Sequence, residues 1–142
     1  MDDATEVLVD WAKFARMRTQ LGADFIRILG YFREDGEKSV ARIEAAMHRR
    51  DAVALIIPAH TMKTEARQFG ADPLGELAEH IEIAGRRAVE SRHFPDDLLP
   101  QVARLRPLYA ETMALFEQET NPLVARRAVA DRSAANQEFG RL

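Results

Sequence analysis

The sequence predicts an all-α protein, an up-and-down antiparallel four-helix bundle with an additional N-terminal helix. Apolar residues recur at alternating steps of three and four, which is the period of a helix buried on one face. The 142 residues include only 7 glycines and 6 prolines, too few for the many tight turns of a β-rich fold. The segments between them are long and their connections short, so neighbouring helices are expected to be antiparallel.

The first three predicted helices are each defined by an apolar stripe. The first carries Val7, Trp11, Phe14 and Met17 and ends near Gly22. The second is the longest and carries Phe25, Leu29, Phe32, Gly36, Val40, Ile43 and Met47. The third carries Leu55, Ala59, Met62, Ala66 and Phe69. Gly70 follows this stripe and is expected to supply its C-cap.

The last two predicted helices begin at prolines. Asp72-Pro73 predicts an N-cap followed by proline at the first helical position. The fourth helix then continues through Leu74, Leu77, Ile81 and Ala88. The fifth begins near Pro95-Asp96-Asp97 and carries Leu98, Val102, Leu105, Tyr109 and Phe116. Pro107 inside it is expected to bend or interrupt the helix.

The domain organisation predicted from these elements is simple. Residues 1–120 are expected to form one helical bundle around one core. The Ala- and Arg-rich stretch 121–142 has one weak apolar stripe and is predicted to be a C-terminal extension. A short packing helix, a frayed extension and a disordered tail all remain open for it.

Composition and missing motifs exclude several functions. A formal charge of −3 provides no long-range field to attract nucleic acid or an anionic membrane. The lack of cysteine excludes disulfide scaffolds and thiolate metal sites, and the four histidines lack the spacing of a paired metal site. No phosphate-binding glycine loop is present, which argues against autonomous kinase activity. The missing nucleotide and metal motifs predict no cofactor in this chain. No membrane span or secretory signal is evident, so we expect a cytoplasmic protein.

One group of residues on the third predicted helix suggests chemistry. At about 100° per residue, four polar side chains share a sector outside the apolar stripe: His60, Lys63, Thr64 and Arg67. Ile56 lies one turn earlier on the same side, and an exposed isoleucine there suggests contact with a partner. A neutral imidazole is a nitrogen nucleophile near pH 7, and a phosphoryl group on it would need a cation such as Lys63 nearby. The alternative is an ordinary surface histidine among solvated cations.

The run from Ala59 to Ala71, AHTMKTEARQFGA, resembles the signature of the histidine phosphotransfer (HPt) domain family. That signature is Ala-His-x-Leu-Lys-Gly, then five residues, then Gly. The alanine, histidine, lysine and final glycine match, and Met62 replaces the leucine. The resemblance extends over roughly residues 7–118. It implies that His60 carries a phosphoryl group between aspartates of response-regulator receiver domains, with Lys63 stabilising the phosphate.

The resemblance also assigns the surrounding residues. Ile56, Thr64 and Arg67 would belong to the surface that docks the receiver. Thr64 stands where the family usually has glycine, which implies slower transfer or fewer partners and leaves a non-phosphorylated member open. The polar side chain with which the family orients the imidazole, often glutamine, falls at Glu82. The alternative for Glu82 is a solvated glutamate on the helix surface.

The resemblance further implies partners, and two other functions remain open. Mg²⁺ would be held by the receiver, and a hybrid sensor histidine kinase is a further possible partner. A helical adaptor would instead bind or sequester a receiver through the same face without carrying phosphate. A bundle acting only in dimerisation ranks last, because the second helix shows no additional apolar stripe.

Overall fold

A computed structural model of the chain describes residues 7–121 and 123. Its α-helices are α1 (Trp11–Leu21), α2 (Phe25–Arg49), α3 (Ala52–Gln68), α4 (Asp72–Ser91) and α5 (Leu99–Thr120). Short 3₁₀ helices precede α2 (Gly22–Asp24) and α5 (Asp96–Leu98). This part of the chain contains no strand, and none of its helices is both long and apolar enough to cross a membrane. The predicted all-α helical bundle is confirmed.

The apolar stripes predicted for the second, third and fourth helices are buried at every position. Aromatic rings join α2 to the end of α3. The ring of Phe32 stacks on that of Phe69 with centroids 5.6 Å apart, and Phe25 meets Phe69 edge-on at 5.9 Å. These contacts hold the C-terminal end of α3 against α2.

The first half of α5 packs on α2 where glycine makes room for an aromatic ring. A Cβ atom on Gly36 would lie 2.4 Å from Cε2 of Tyr109, a distance that real contacts do not reach. The Tyr109 hydroxyl donates to the carbonyl of Arg33 at 2.6 Å. Arg106 adds bonds of 3.0 and 2.7 Å to the carboxylate of Glu44. A side chain at position 36 would displace Tyr109, which explains why a glycine occupies this position of the apolar stripe.

The start predicted for the first helix is wrong. Val7 is 69% exposed and lies before α1, which begins at Trp11. Asp10 is the N-cap, and its carboxylate accepts from the backbone N–H groups of Ala12 and Lys13 at 3.0 and 3.1 Å. An aspartate that caps the first turn in this way favours a helix start at the next residue.

The C-cap predicted at Gly70 is wrong by one residue, although Gly70 does end α3. Phe69 is the C-cap, and Gly70 follows with a φ of +81°. The Gly70 N–H donates to the Arg67 carbonyl at 3.2 Å, and the Ala71 N–H donates to the Ala66 carbonyl at 2.8 Å. This pair of bonds is a Schellman motif, in which the left-handed residue is usually glycine because it has no Cβ.

The N-cap predicted for the fourth helix is wrong by one residue. Asp72 is the first helical residue of α4, and Ala71 occupies the cap position without a side-chain cap bond. The Asp72 carboxylate instead pairs with Nζ of Lys13 in α1 at 2.8 Å. A long-range ion pair therefore takes the place of the local capping bond.

Pro107 does not interrupt the fifth helix, so of the two expected effects the interruption is wrong and the bend stays a prediction. α5 continues through it from Leu99 to Thr120. A proline inside a helix costs about 3 kcal/mol, but the residues on both sides are held in place. Leu105 and Tyr109 are buried, and Arg106 is paired with glutamates of α2. Packing on both sides of the proline outweighs the lost backbone bond.

The chain divides into two compact units after Thr112, within α5. In the described part of the second unit, two local hydrogen bonds lie near the end of the helix. The Thr120 hydroxyl donates to the Phe116 carbonyl, and the Asn121 amide donates to the Glu117 carboxylate, both at 2.8 Å. Apart from Asn121 and Leu123, the predicted extension 121–142 lies outside the described residues, and its boundary stays a prediction.

Candidate functional site

Glycines in α4 allow the backbones of α3 and α4 to approach closely. A Cβ atom on Gly85 would lie 3.3 Å from the carbonyl oxygen of Ala52 and 3.2 Å from Cγ1 of Ile56. A Cβ atom on Gly75 would lie 2.8 Å from Cγ of Arg67. Because neither position has a side chain, polar groups on the intervening turns of α4 can reach those of α3.

His60 lies on α3 at this contact, with 51% of its side chain exposed. Its neighbours in the apolar stripe, Ala59 and Met62, are fully buried. The ring nitrogen Nδ1 lies 3.0 Å from Oε2 of Glu82 in α4. Among the described residues, none forms a hydrogen bond with the other ring nitrogen, Nε2. The imidazole is therefore held at one nitrogen and accessible at its other side.

Glu82 is a buried carboxylate surrounded by nitrogen donors. Its side chain is 6% exposed, so the alternative of a solvated surface glutamate is wrong. Oε1 lies 2.8 Å from Nζ of Lys63, and Oε2 accepts from Nε and Nη2 of Arg86 at 3.0 and 2.8 Å. Burial by itself would raise the pKa of Glu82, but hydrogen bonds from Lys63, Arg86 and His60 outweigh it and lower this pKa to about 2.

The ionised state of Glu82 decides the tautomer of His60. An ionised carboxylate can only accept hydrogen bonds, so the bond between Oε2 and Nδ1 requires the proton to be on Nδ1. In the neutral ring the lone pair is then on Nε2. The contact therefore orients the ring and makes Nε2 its nucleophilic atom.

Lys63 and Thr64 lie beside His60, but their polar groups point to protein atoms. The Lys63 side chain is 20% exposed, and its ammonium contacts Glu82. The Thr64 hydroxyl donates to the backbone carbonyl of His60 at 3.1 Å. Thr64 is exposed, so its bulk remains on the surface beside the imidazole while its hydroxyl is engaged with the helix.

Arg67 and Ile56 occupy the same side of α3, both in contact with α4. Arg67 forms an ion pair with Glu79, and its stem passes over Gly75. Ile56 is half-buried against Gly85, so the expectation of an exposed isoleucine at this position is wrong. The exposed isoleucine is its neighbour Ile57, at 69%.

Arg86 is a residue of this site that was not predicted from the sequence. It follows Glu82 by four residues in α4, a spacing that places the two side chains together on a helix surface. That spacing was a usable signal for the ion pair. It did not indicate that the glutamate is buried or that the same oxygen contacts His60.

The sequence matches the family model described as the Hpt domain over residues 27–107, more than half of the chain. The matched range contains His60, Lys63, Glu82 and Arg86.

The structure is similar to the crystal structure of histidine-containing phosphotransfer protein B (HptB) from Pseudomonas aeruginosa PAO1. The TM-score is 0.70 at 23% sequence identity, over 81% of this chain and 96% of that chain. At this identity the similarity shows a shared fold.

A stretch of 93 residues is 31% identical to a protein from Sorangium cellulosum (strain So ce56) described as DNA mismatch repair protein MutS. It covers 62% of this chain but 9% of that protein. The chain thus spans about a tenth of that curated relative, and mismatch repair is not carried over from it.

Proposed function

This chain belongs to the Hpt domain family, whose function is histidine phosphotransfer in phosphorelays, and on that premise we propose that His60 is the phosphoryl carrier. The supporting observation is the 3.0 Å contact between Nδ1 of His60 and the buried carboxylate of Glu82. It accounts for a fixed ring orientation and for a fixed tautomer with the lone pair on Nε2, and the half-exposed ring leaves that atom accessible.

The proposed reaction exchanges one phosphorus bond for another. The Nε2 lone pair of His60 attacks the phosphorus of an aspartyl phosphate on a receiver domain. The P–N bond forms as the P–O bond breaks, and the aspartate leaves as a carboxylate with the electron pair. No proton has to leave Nε2, and the positive charge that develops on the ring is offset by Glu82 through Nδ1–H. The reverse reaction passes the phosphoryl group to another receiver aspartate.

Positive charge beside the ring suits this reaction, because phosphoryl transfer depends mainly on positioning and charge neutralisation. Lys63 and Arg86 both contact Glu82, so the three side chains together carry one net positive charge. We assign Lys63 to stabilisation of the phosphoryl oxygens. In this proposal Mg²⁺ is held by the acidic pocket of the receiver.

The proposed docking surface is the side of α3 around His60, with the exposed Thr64 and Arg67 and the half-buried Ile56. Ile57 adds an exposed apolar side chain one turn before His60. The proposed partners are receiver domains in the cytoplasm, with a hybrid sensor histidine kinase as a further donor.

The test is phosphotransfer from a phosphorylated receiver domain in the presence of Mg²⁺. We expect acid-labile, base-stable phosphate on the wild type and on His80→Gln, which replaces an exposed histidine of α4. We expect none on His60→Gln, with the free energy of unfolding changed by no more than about 1 kcal/mol because the ring is half-exposed. Wild-type phosphate on His60→Gln would refute the assignment. A wild type that binds the receiver without taking up phosphate would be an adaptor.

A further inference from the structure

Oxygen Oε2 of Glu82 is shared between His60 and Arg86. It lies 3.0 Å from Nδ1 of His60, 3.0 Å from Nε of Arg86 and 2.8 Å from Nη2 of Arg86. Two nitrogens that contact one oxygen at these distances are within about 6 Å of each other. The guanidinium charge therefore acts on the imidazole directly as well as through the carboxylate.

A buried carboxylate beside an imidazole has a cost for a nucleophile. The negative charge orients the ring, but it also favours the doubly protonated imidazolium. An imidazolium has no lone pair on Nε2 and cannot attack phosphorus. Glu82 can orient His60 without inactivating it only if other cations balance its charge.

The charged groups that face Glu82 come from both helices of the contact. His60 and Lys63 reach it from α3, and Arg86 reaches it from α4. Arg67 and Glu79 lie nearby on the same two helices but pair with each other. Lys63 contacts Oε1 of Glu82, so Arg86 is the cation that contacts the same oxygen as the imidazole.

We propose that Arg86 is a positioning residue that holds Oε2 of Glu82 toward His60 and whose positive charge opposes a second protonation of the imidazole. This inference rests on the proposed function, since it concerns the reactivity of His60. Arg86 acts through Glu82 and by its charge, and it takes no part in bond formation.

The size of the effect follows from the separation of the two charges. At about 6 Å, loss of the guanidinium charge should favour the imidazolium about threefold at the dielectric constant of water, and about tenfold at half that value. The profile of imidazole protonation should therefore move to higher pH by about 0.5 to 1 unit.

The experiment compares Arg86→Gln, Arg86→Lys and the matched control Arg87→Gln. Glutamine keeps a hydrogen-bond donor without the charge, and lysine restores the charge. Arg87 is the next residue of α4, is exposed, and is not among the groups that contact Glu82. Circular dichroism establishes that each variant is folded. NMR of ¹⁵N-labelled histidine in the unphosphorylated proteins gives protonation of His60 against pH, and initial rates of phosphotransfer give a second profile.

We expect both profiles of Arg86→Gln to move upward by about 0.5 to 1 pH unit, and those of Arg86→Lys and Arg87→Gln to stay near the wild type. Coincident profiles for Arg86→Gln and the wild type would overturn the inference, as would an equal shift in Arg87→Gln. The NMR profile needs no phosphate. A failure of phosphotransfer to His60 in the wild type would therefore count against the proposed function separately.

Discussion

Glu82→Gln keeps the size of the side chain but removes the anion that Lys63, Arg86 and His60 all contact. In the folded protein the pKa of Glu82 is lowered from 4.5 to about 2, because hydrogen bonds from these residues outweigh the effect of burial. A group with a lowered pKa stabilises the fold when it is ionised. That stabilisation is complete above about pH 5 and is lost as pH falls from 4.5 toward 2.

The magnitude follows from the two pKa values. A lowering of this size corresponds to about 3 kcal/mol of stability at pH 7, of which about two fifths remains at pH 3. Glutamine has no such titration. The difference in unfolding free energy between the wild type and Glu82→Gln should therefore shrink by about 2 kcal/mol between pH 7 and pH 3.

The assay is urea unfolding followed by far-UV circular dichroism at several pH values from 7 to 3. Other carboxylates titrate in both proteins, so their effects largely cancel in the difference. Glu79→Gln is the matched control, because Glu79 lies one turn earlier in α4 and forms a more exposed ion pair with Arg67. Between pH 7 and pH 3, the difference in unfolding free energy between the wild type and Glu79→Gln should change by less than about 1 kcal/mol.

If the unfolding free energies of the wild type and Glu82→Gln changed in parallel over this pH range, the reasoning would be refuted. It would mean that the cations around Glu82 provide no net stabilisation of its ionised form. A change as large in Glu79→Gln would assign the effect to general surface charge.

Three further predictions concern the packing and the surface around the site. Gly85→Ala should lower the unfolding free energy by about 1 kcal/mol in the same urea experiment, because the added Cβ would press on the α3 backbone. Gly30→Ala should raise it by up to about 1 kcal/mol, because a Cβ there meets nothing within 4 Å. Burial, reinforced by the charge of Asp35, raises the pKa of Glu65 to about 7. The unfolding free energy of the wild type should therefore fall as pH rises from 4.5 through 7. Glu65→Gln cannot ionise at this position, so its unfolding free energy should fall less over the same range. Thr64→Gly should take up phosphate faster than the wild type, measured as initial rates from one phosphorylated receiver, and should lose about 0.5 kcal/mol of stability. A variant that is folded but slower would show that the threonine contributes to transfer.

Local patterns predicted most of the helices and their buried faces. The stripes of the second to fourth helices were predictable because helical periodicity is a property of neighbouring residues. The Schellman ending at Gly70 was predictable because it depends on one residue that tolerates positive φ. The start of α1 depended on a local signal that was overlooked, the N-cap Asp10. The role of Asp72 and the continuity of α5 through Pro107 depended on partners elsewhere in the chain, and there the local signals were misleading.

For the candidate site, the sequence by itself determined that His60 lies off the apolar stripe beside Lys63 and that Glu82 lies on the next helix. The tertiary structure decided that Glu82 is buried, that Arg86 shares its oxygen with His60, and that Ile56 faces Gly85. A helical wheel fixes directions within one helix but not the separation or axial alignment of two helices. Those are set here by the close approach of α3 and α4 at the α4 glycines, which brings the carboxylate within hydrogen-bond distance of the imidazole.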